Sequence, residues 1–314
     1  AGAADQARFD DLLDAGVVLD LSNSTAYYTT DGSTDTLVGF ELYYTTNQDD
    51  QIIGSAARDE AFGLGGADTF FASAGNDTLD GGLGRDVIDY SAAGVNFVTV
   101  TLNGENDATV TVNGGDNDVI RGIEGVVGTD GNDLLTGDAA DNSLVGGAGN
   151  DVIRGGRGSD LLDGGADFDQ LRFDELTVLG VELNLATGTA SFGGDGSTDS
   201  FTGFEEYYTS NQNDIVNGSS AADVVFALNG KDTFNASAGV DTFDGGVGGG
   251  LIDYANLPGA TRIVVTLSGA TPATVTVNGG DNDLVQNIEN VRGTAGADTI
   301  TGDDENNTLY GVGG

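Results

Sequence analysis

Residues 146–163 read GGAGNDVIR followed without a break by GGRGSDLLD: two nine-residue turns of the form Gly-Gly-x-Gly-x-Asp-x-apolar-x. Residues 81–89 (GGLGRDVID) match the same pattern in full. Sliding the frame outward gives five turns over Thr45–Asp89, five over Gly128–Arg172, five over Thr209–Asp253, and two with a fragment over Gly293–Gly314. The eighth position is apolar in all 17 complete turns: Ile52, Ala61, Phe70, Leu79, Ile88; Leu135, Leu144, Ile153, Leu162, Leu171; Val216, Val225, Phe234, Phe243, Ile252; Ile300 and Leu309. The sixth is Asp in 14 of them: Asp50, Asp59, Asp68, Asp77, Asp86; Asp133, Asp151, Asp160, Asp169; Asp214, Asp223, Asp232, Asp241; and Asp298. Asn142, Asn307 and Gly250 are the exceptions. Glycines permit a tight turn at positive φ. The apolar residue then opens a very short strand with its side chain inward. Two turns make a coil of 18 residues, and coils stacked at strand spacing place each inward side chain on the one two turns away.

The same stacking lines up aspartates of alternate turns, and an unneutralised row of carboxylates repels itself. The whole chain shows the imbalance: 314 residues carry 51 Asp+Glu against 10 Lys+Arg, a formal net charge of −41. With no His and no Cys, thiolate and imidazole metal sites, disulfides and His- or Cys-based catalysis are excluded. The charge repels nucleic acid and anionic lipid. No apolar run nears the ~20 residues that span a bilayer, and Ala1–Asp11 has no signal-peptide character. At 38% hydrophobic residues the chain is too apolar for simple disorder. A hard divalent cation held by carboxylates and glycine-turn carbonyls would neutralise the rows, and oxygen-only ligands suit Ca²⁺. A solvated acidic loop set would explain neither the glycine phase nor the unbroken apolar column.

The arrays sit inside a longer repeat. Asp35–Ser55 returns as Asp199–Ser219 at an offset of 164, and Thr109–Asp118 (TVTVNGGDND) returns unchanged as Thr274–Asp283. The chain is therefore a tandem duplication, and fixed-period self-similarity predicts a solenoid. The expected division is a tail of a preceding array at 1–8, inserts at 9–44, 90–127, 173–208 and 254–292, arrays at 45–89, 128–172 and 209–253, and a partial array at 293–314. The inserts alternate in the β manner, as in Val98–Leu102 (VTVTL) and Ile263–Leu267 (IVVTL). A short helical turn near Asp10–Ala15 is the best helix candidate. The inserts are read as wider coils or hairpins that continue the roll and shelter the array ends, with a separate small β-domain as the competing view. Each ends in an Asp-x-apolar echo of the nonapeptide, at Asp35, Asp118, Asp199 and Asp283. Asp116 with Asp118, and Asp281 with Asp283, form either Asx turns or additional calcium sites. Tyr43-Tyr44 and Tyr207-Tyr208 form either a lid over the first coil or a sugar-stacking platform. Glu41, Glu124, Glu205 and Glu289 recur in one phase and either cap backbone amides or coordinate an ion.

These turns resemble the RTX, or hemolysin-type calcium-binding, repeats. The resemblance implies an all-β fold, a parallel β-roll or β-solenoid with calcium-bound nonapeptide turns, here interrupted by β-rich inserts. It also implies one Ca²⁺ between turns i and i+2, with both sixth-position side chains as ligands. The pairs carried onto this chain are Asp50/Asp68, Asp59/Asp77, Asp68/Asp86, Asp133/Asp151, Asp151/Asp169, Asp214/Asp232 and Asp223/Asp241. Asn142/Asp160 has lost one charge and Asp232/Gly250 a carboxylate, giving about seven to nine sites in all, with Asp298 in the last array as a further ligand. The expected role is a non-enzymatic, calcium-ordered structural region of a secreted or cell-surface bacterial protein, such as an adhesin stalk, surface-layer or extracellular matrix protein. The alternative is the folding and secretion module of a secreted toxin or hydrolase whose catalytic domain lies outside this chain. A third reading, an enzyme or polysaccharide-acting module in its own right, is opposed by the missing His and Cys. The chain opens and closes inside nonapeptides, as a stretch of a longer array would, and the resemblance implies type I secretion. Expected partners are calcium ions and copies of itself or flanking repeats in a larger assembly, with no nucleic acid and no membrane insertion.

Overall fold

The computed structural model describes residues 4–12, 14–92, 94–178, 180–194 and 196–314. Residues 1–3 of the expected array tail thus lie outside the described residues. The described residues form short strands and turns with no helix, so none is long and apolar enough to cross a membrane. The helical turn expected near Asp10–Ala15 is a non-helical turn at Asp10 and Asp11. The chain divides into two compact units, Ala1–Asp169 and Gln170–Gly314, a boundary that follows the tandem duplication.

In the first unit, successive turns feed two sheets alternately. One holds the parallel strands Gln6–Arg8, Leu42–Tyr44, Glu60–Phe62 and Thr78–Asp80. The other holds Gln51–Ile53, Thr69–Phe71, Val87–Asp89, Gly125–Val127, Ser143–Ala148 and Leu161–Ala166. Within an array the register is strict: Gln51 lies beside Thr69, Thr69 beside Val87, and Leu134 beside Val152, each one coil of 18 residues on. This register carries the inward apolar column from coil to coil. Ile52, Ala61, Phe70, Leu79, Ile88, Leu135, Leu144, Ile153 and Leu162 are all buried. A full burial of this kind is worth about 1.5–3 kcal/mol per large aliphatic or aromatic side chain.

The inserts lie within the sheets as antiparallel triplets. Val98–Thr101, Ala108–Val112 and Asp116–Arg121 form a meander whose last strand runs parallel to Thr78–Asp80 and whose first runs parallel to Leu134–Thr136. The meander thus fills a gap in the sheet, since its outer strands pair in parallel with the array strands on either side. The earlier insert forms a triplet in the other sheet, joined to the array on one side. There Val17–Asp20 pairs with Thr25–Tyr28 and runs parallel to Gln51–Ile53. Successive inserts therefore enter opposite sheets.

The second unit repeats this plan. Val181–Asn184, Thr189–Phe192 and Thr198–Thr202 form one triplet, continued by Ile215–Asn217, Thr233–Asn235 and Gly250–Asp253. Ile263–Thr266, Ala273–Val277 and Asp281–Gln286 form the other. Leu171, Val216, Val225, Phe234, Phe243 and Ile252 are its buried column, whereas Ile300 is half-buried and Leu309 exposed. The register shifts between Gly250 and Leu251, in the turn whose sixth position is glycine.

Candidate metal centre

Fourteen of the fifteen candidate ligands are buried: Asp50, Asp59, Asp68, Asp77, Asp86, Asp133, Asn142, Asp151, Asp160, Asp169, Asp214, Asp223, Asp232 and Asp241. Asp298 is half-buried. They form a ladder, because most of the carboxylates accept the backbone N–H of the sixth residue one coil earlier. Asp68 Oδ1 accepts from Asp50 at 2.8 Å, Asp86 Oδ1 from Asp68 at 2.8 Å and Asp77 Oδ1 from Asp59 at 2.9 Å. The same bonds join Asp133 to Asp151, Asn142 to Asp160, Asp151 to Asp169, Asp214 to Asp232 and Asp223 to Asp241. The first rung of each array accepts from its insert instead: Asp50 from Val17, Asp133 from Val98, Asp214 from Val181 and Asp298 from Ile263.

The second carboxylate oxygen divides the rungs into two kinds, and the second residue of the turn biases which. Where that residue is Ser or Thr, it closes the carboxylate locally in five turns, whereas at Asp214 the Ser210 hydroxyl takes Oδ1 and leaves the buried Oδ2 open. Thr46 N–H donates to Asp50, Ser55 to Asp59, Thr129 to Asp133, Ser219 to Asp223 and Thr294 to Asp298. Their hydroxyls donate to the same groups. Where the residue is Gly or Leu, the backbone turns left-handed instead, with φ of +73° at Leu64, +93° at Gly82, +115° at Gly147 and +65° at Leu228. The matching oxygens, Asp68 Oδ2, Asp86 Oδ2, Asp151 Oδ2 and Asp232 Oδ2, are buried and accept no hydrogen bond.

At Asp68, Asp86 and Asp151 the open oxygen shares the space beside a glycine with a backbone carbonyl. A methyl placed on Gly63 would run into both Asp68 Oδ2 and the Gly81 carbonyl, and one on Gly146 into Asp151 Oδ2 and the Gly164 carbonyl. The first glycine of the turn thus keeps open a small cradle walled by oxygen. Burial, reinforced by the neighbouring rungs, pushes Asp68 up to about 8 and Asp151 to about 7. Burial lifts Asp77, Asp232 and Asp241 to about 7 and Asp86 to about 6. At neutral pH such a group needs either a proton or a cation. Among the described residues no three acidic side chains gather at one point. The donors are single carboxylates and backbone carbonyls one coil apart, and that all-oxygen set fits a hard cation such as Ca²⁺.

Asn142 departs from the rest. Its oxygen accepts the Asp138 N–H at 2.8 Å, leaving its buried amide Nδ2 without an acceptor. A donor therefore points where other rungs present an acceptor.

The inserts extend the ladder in a way that nonapeptide spacing did not reveal. Asp118 and Asp283 are buried, and their Oδ1 atoms accept from Asp77 at 3.0 Å and Asp241 at 3.1 Å, 41 and 42 residues earlier. Their other oxygens accept the hydroxyls of Tyr90 and Tyr254, at 3.3 Å and 2.7 Å. Asp116 is half-exposed and Asp281 exposed, so the GGDND acids separate rather than pair. Asp35 is exposed and accepts from the Tyr28 hydroxyl, while Asp199 is buried. Glu124 accepts the Asp86 N–H at 2.9 Å and Glu41 that of Asp5 at 2.8 Å, so these two recurrent glutamates cap rung amides.

Tyr44 lies stacked on Phe62 at 4.6 Å with the Arg8 guanidinium 4.3 Å from its ring centroid, leaving neither face for a sugar. Tyr208 is held likewise between Phe226 and Arg172. A further ladder went unread in the sequence. Side chains at the fifth position accept the fifth-position N–H of the next coil, as in Asp49 with Ala67, Asn132 with Asn150 and Asn213 with Lys231. The recurrent Asn-Asp and Asp-Asp dipeptides were its signal.

Among solved structures, the chain is similar to the crystal structure of the extracellular lipase LipA from Serratia marcescens, at 15% identity and a TM-score of 0.24. The match covers 81% of this chain but only 39% of that one. No curated protein sequence matches. The pattern of the RTX calcium-binding nonapeptide repeat, taken four copies at a time, matches residues 44–79, 62–92, 126–144, 136–171, 208–243, 217–252 and 286–314. These segments take in more than half of the chain, which therefore belongs to the family of RTX calcium-binding nonapeptide repeats.

Proposed function

We propose that this chain is a calcium-ordered structural region of a secreted or cell-surface protein, in which the arrays bind the metal and the inserts fill the sheets between them. The sixth-position side chains act in pairs one coil apart, Asp50/Asp68, Asp68/Asp86, Asp133/Asp151, Asp151/Asp169 and Asp214/Asp232 foremost. The pairs Asp59/Asp77 and Asp223/Asp241, whose turns carry Ser at the second position, act beside them. The observation that carries this reading is the set of buried oxygens on Asp68, Asp86, Asp151 and Asp232 that the protein leaves without a donor. Calcium, when bound, supplies two positive charges and six to eight oxygen coordination positions. The chain's own part is to aim one oxygen of each open rung into the cradle and to hold the other on the preceding rung's amide. Without that neutralisation, desolvated carboxylates stand in rows, and a chain of net charge −41 favours extension. Binding free energy thereby becomes folding free energy, and a low-calcium cytosol keeps the chain extended until export.

Small-angle scattering at physiological salt tests the proposal. The radius of gyration should fall sharply when chelator is replaced by ~1 mM Ca²⁺, and ~1 mM Mg²⁺, which dehydrates reluctantly and demands octahedral geometry, should leave the chain expanded. An equally compact particle in chelator would overturn the reading.

A further inference from the structure

The two ladders of the first array leave it by different exits. On one, Asp77 hands its N–H to Asp118, whose remaining oxygen accepts the Tyr90 hydroxyl, so that rung is closed by protein alone. On the other, Asp86 hands its N–H to Glu124 Oε2 at 2.9 Å, 38 residues on, and no hydroxyl follows. Asp86 is fully buried, at 0% exposure, and its Oδ2 has no hydrogen-bond partner. That atom shares a cradle with a carbonyl from the insert: a methyl on Gly81 would meet both Asp86 Oδ2 and the Gly122 oxygen. The backbone at Gly122 has φ of +57°, and Glu124 and Gly125 both donate their N–H groups to the Asp86 carbonyl. One buried unsatisfied carboxylate oxygen, one carbonyl and a second carboxylate therefore converge where the chain rejoins the sheet.

From this we infer a divalent-cation site built by Asp86, Glu124 and the Gly122 carbonyl, with Ca²⁺ as its ligand. The site lies outside the nonapeptide frame, because two of its three donors belong to the insert. It clasps the returning end of the 90–127 insert to the last turn of the array. The duplication supplies an internal control. At the corresponding place in the second unit Glu289 remains and its Oε2 is buried without a partner, but the ladder residue is Gly250. The Asn287 carbonyl there faces Gly245 as Gly122 faces Gly81. With one carboxylate missing, that copy does not hold the ion.

The inference rests on the reading of the aspartate ladder as a calcium seam, and the test separates the two. Bound calcium is counted by equilibrium dialysis and metal analysis on the full chain, for wild type, Glu124→Gln and Glu289→Gln. Glutamine keeps an oxygen for the Asp86 N–H and removes the charge. The expected result is one Ca²⁺ fewer per chain in Glu124→Gln and an unchanged count in Glu289→Gln. An unchanged count in Glu124→Gln makes Glu124 an amide cap only and overturns this site while leaving the seam; no calcium on wild type overturns both. Should Glu124→Gln fail to fold, wild-type crystals grown in calcium decide. An anomalous-difference peak among Asp86 Oδ2, Gly122 O and the Glu124 carboxylate supports the site, and its absence beside peaks at the Asp68/Asp86 rung overturns it.

Discussion

Asp68 holds one oxygen on the amide of Asp50 and keeps the other where no protein donor reaches. Burial raises its pKa to about 8, against about 3.9 for an ordinary aspartate. In the metal-free chain the folded state therefore binds more protons than the unfolded one, so its stability falls as pH rises. The contribution is fully present below about pH 4 and is lost as pH climbs through 6 to 8, where Asp86, Asp151 and Asp68 ionise. In chelator, the β-sheet signal in circular dichroism should accordingly be stronger at pH 5 than at pH 8. A signal that grows with pH would contradict the assignment of open rungs. Calcium reverses the dependence, since the metal requires the ionised carboxylate. Asp68 also serves two pairs, so Asp68→Ala should weaken calcium binding more than Asp298→Ala, whose carboxylate is already closed by Thr294. Equal losses by titration calorimetry would argue against pairing one coil apart.

At the level of the turn, the second residue biases a rung toward closed or open, although Asp214 stays open beside Ser210. Thr129 donates both its N–H and its hydroxyl to Asp133. Thr129→Val keeps the shape and removes the hydroxyl bond, and should lower unfolding stability by about 0.5–1.5 kcal/mol in denaturant titration. Leu228 sits at φ of +65°, a region that costs a non-glycine residue about 1–2 kcal/mol. Leu228→Gly should therefore raise the thermal midpoint in calcium, and a lower midpoint would show that the Leu228 side chain contributes more than its backbone strain costs. The nonapeptide period, the apolar column and the aspartate column were all legible in the sequence, because each recurs at fixed spacing. The Ser and Thr residues at the second position were visible too, yet their meaning depends on whether the N–H turns toward the carboxylate. Asp118, Asp283 and Glu124 stood out by their recurring phase, but their partners on the ladder did not, for a different reason. Strand pairing, not chain spacing, brings them beside Asp77, Asp241 and Asp86, and the meander between changes the offset from 18 to 41, 42 and 38. The alternation of inserts between sheets was likewise invisible, since it depends on which side of the coil the chain leaves.

Over the whole chain, a core built from inward apolar side chains of short strands and their inserts is set against a net charge of −41. Both units repeat one plan, and in the second the column ends at its last array, where Ile300 is half-buried and Leu309 exposed. The most direct test counts bound calcium and records far-ultraviolet circular dichroism on the same samples at pH 8, as free Ca²⁺ is raised from chelated levels to ~1 mM. The account predicts that β-structure appears only as ions are taken up, several per chain, and vanishes on chelation. A full β-sheet spectrum at zero bound calcium would contradict it.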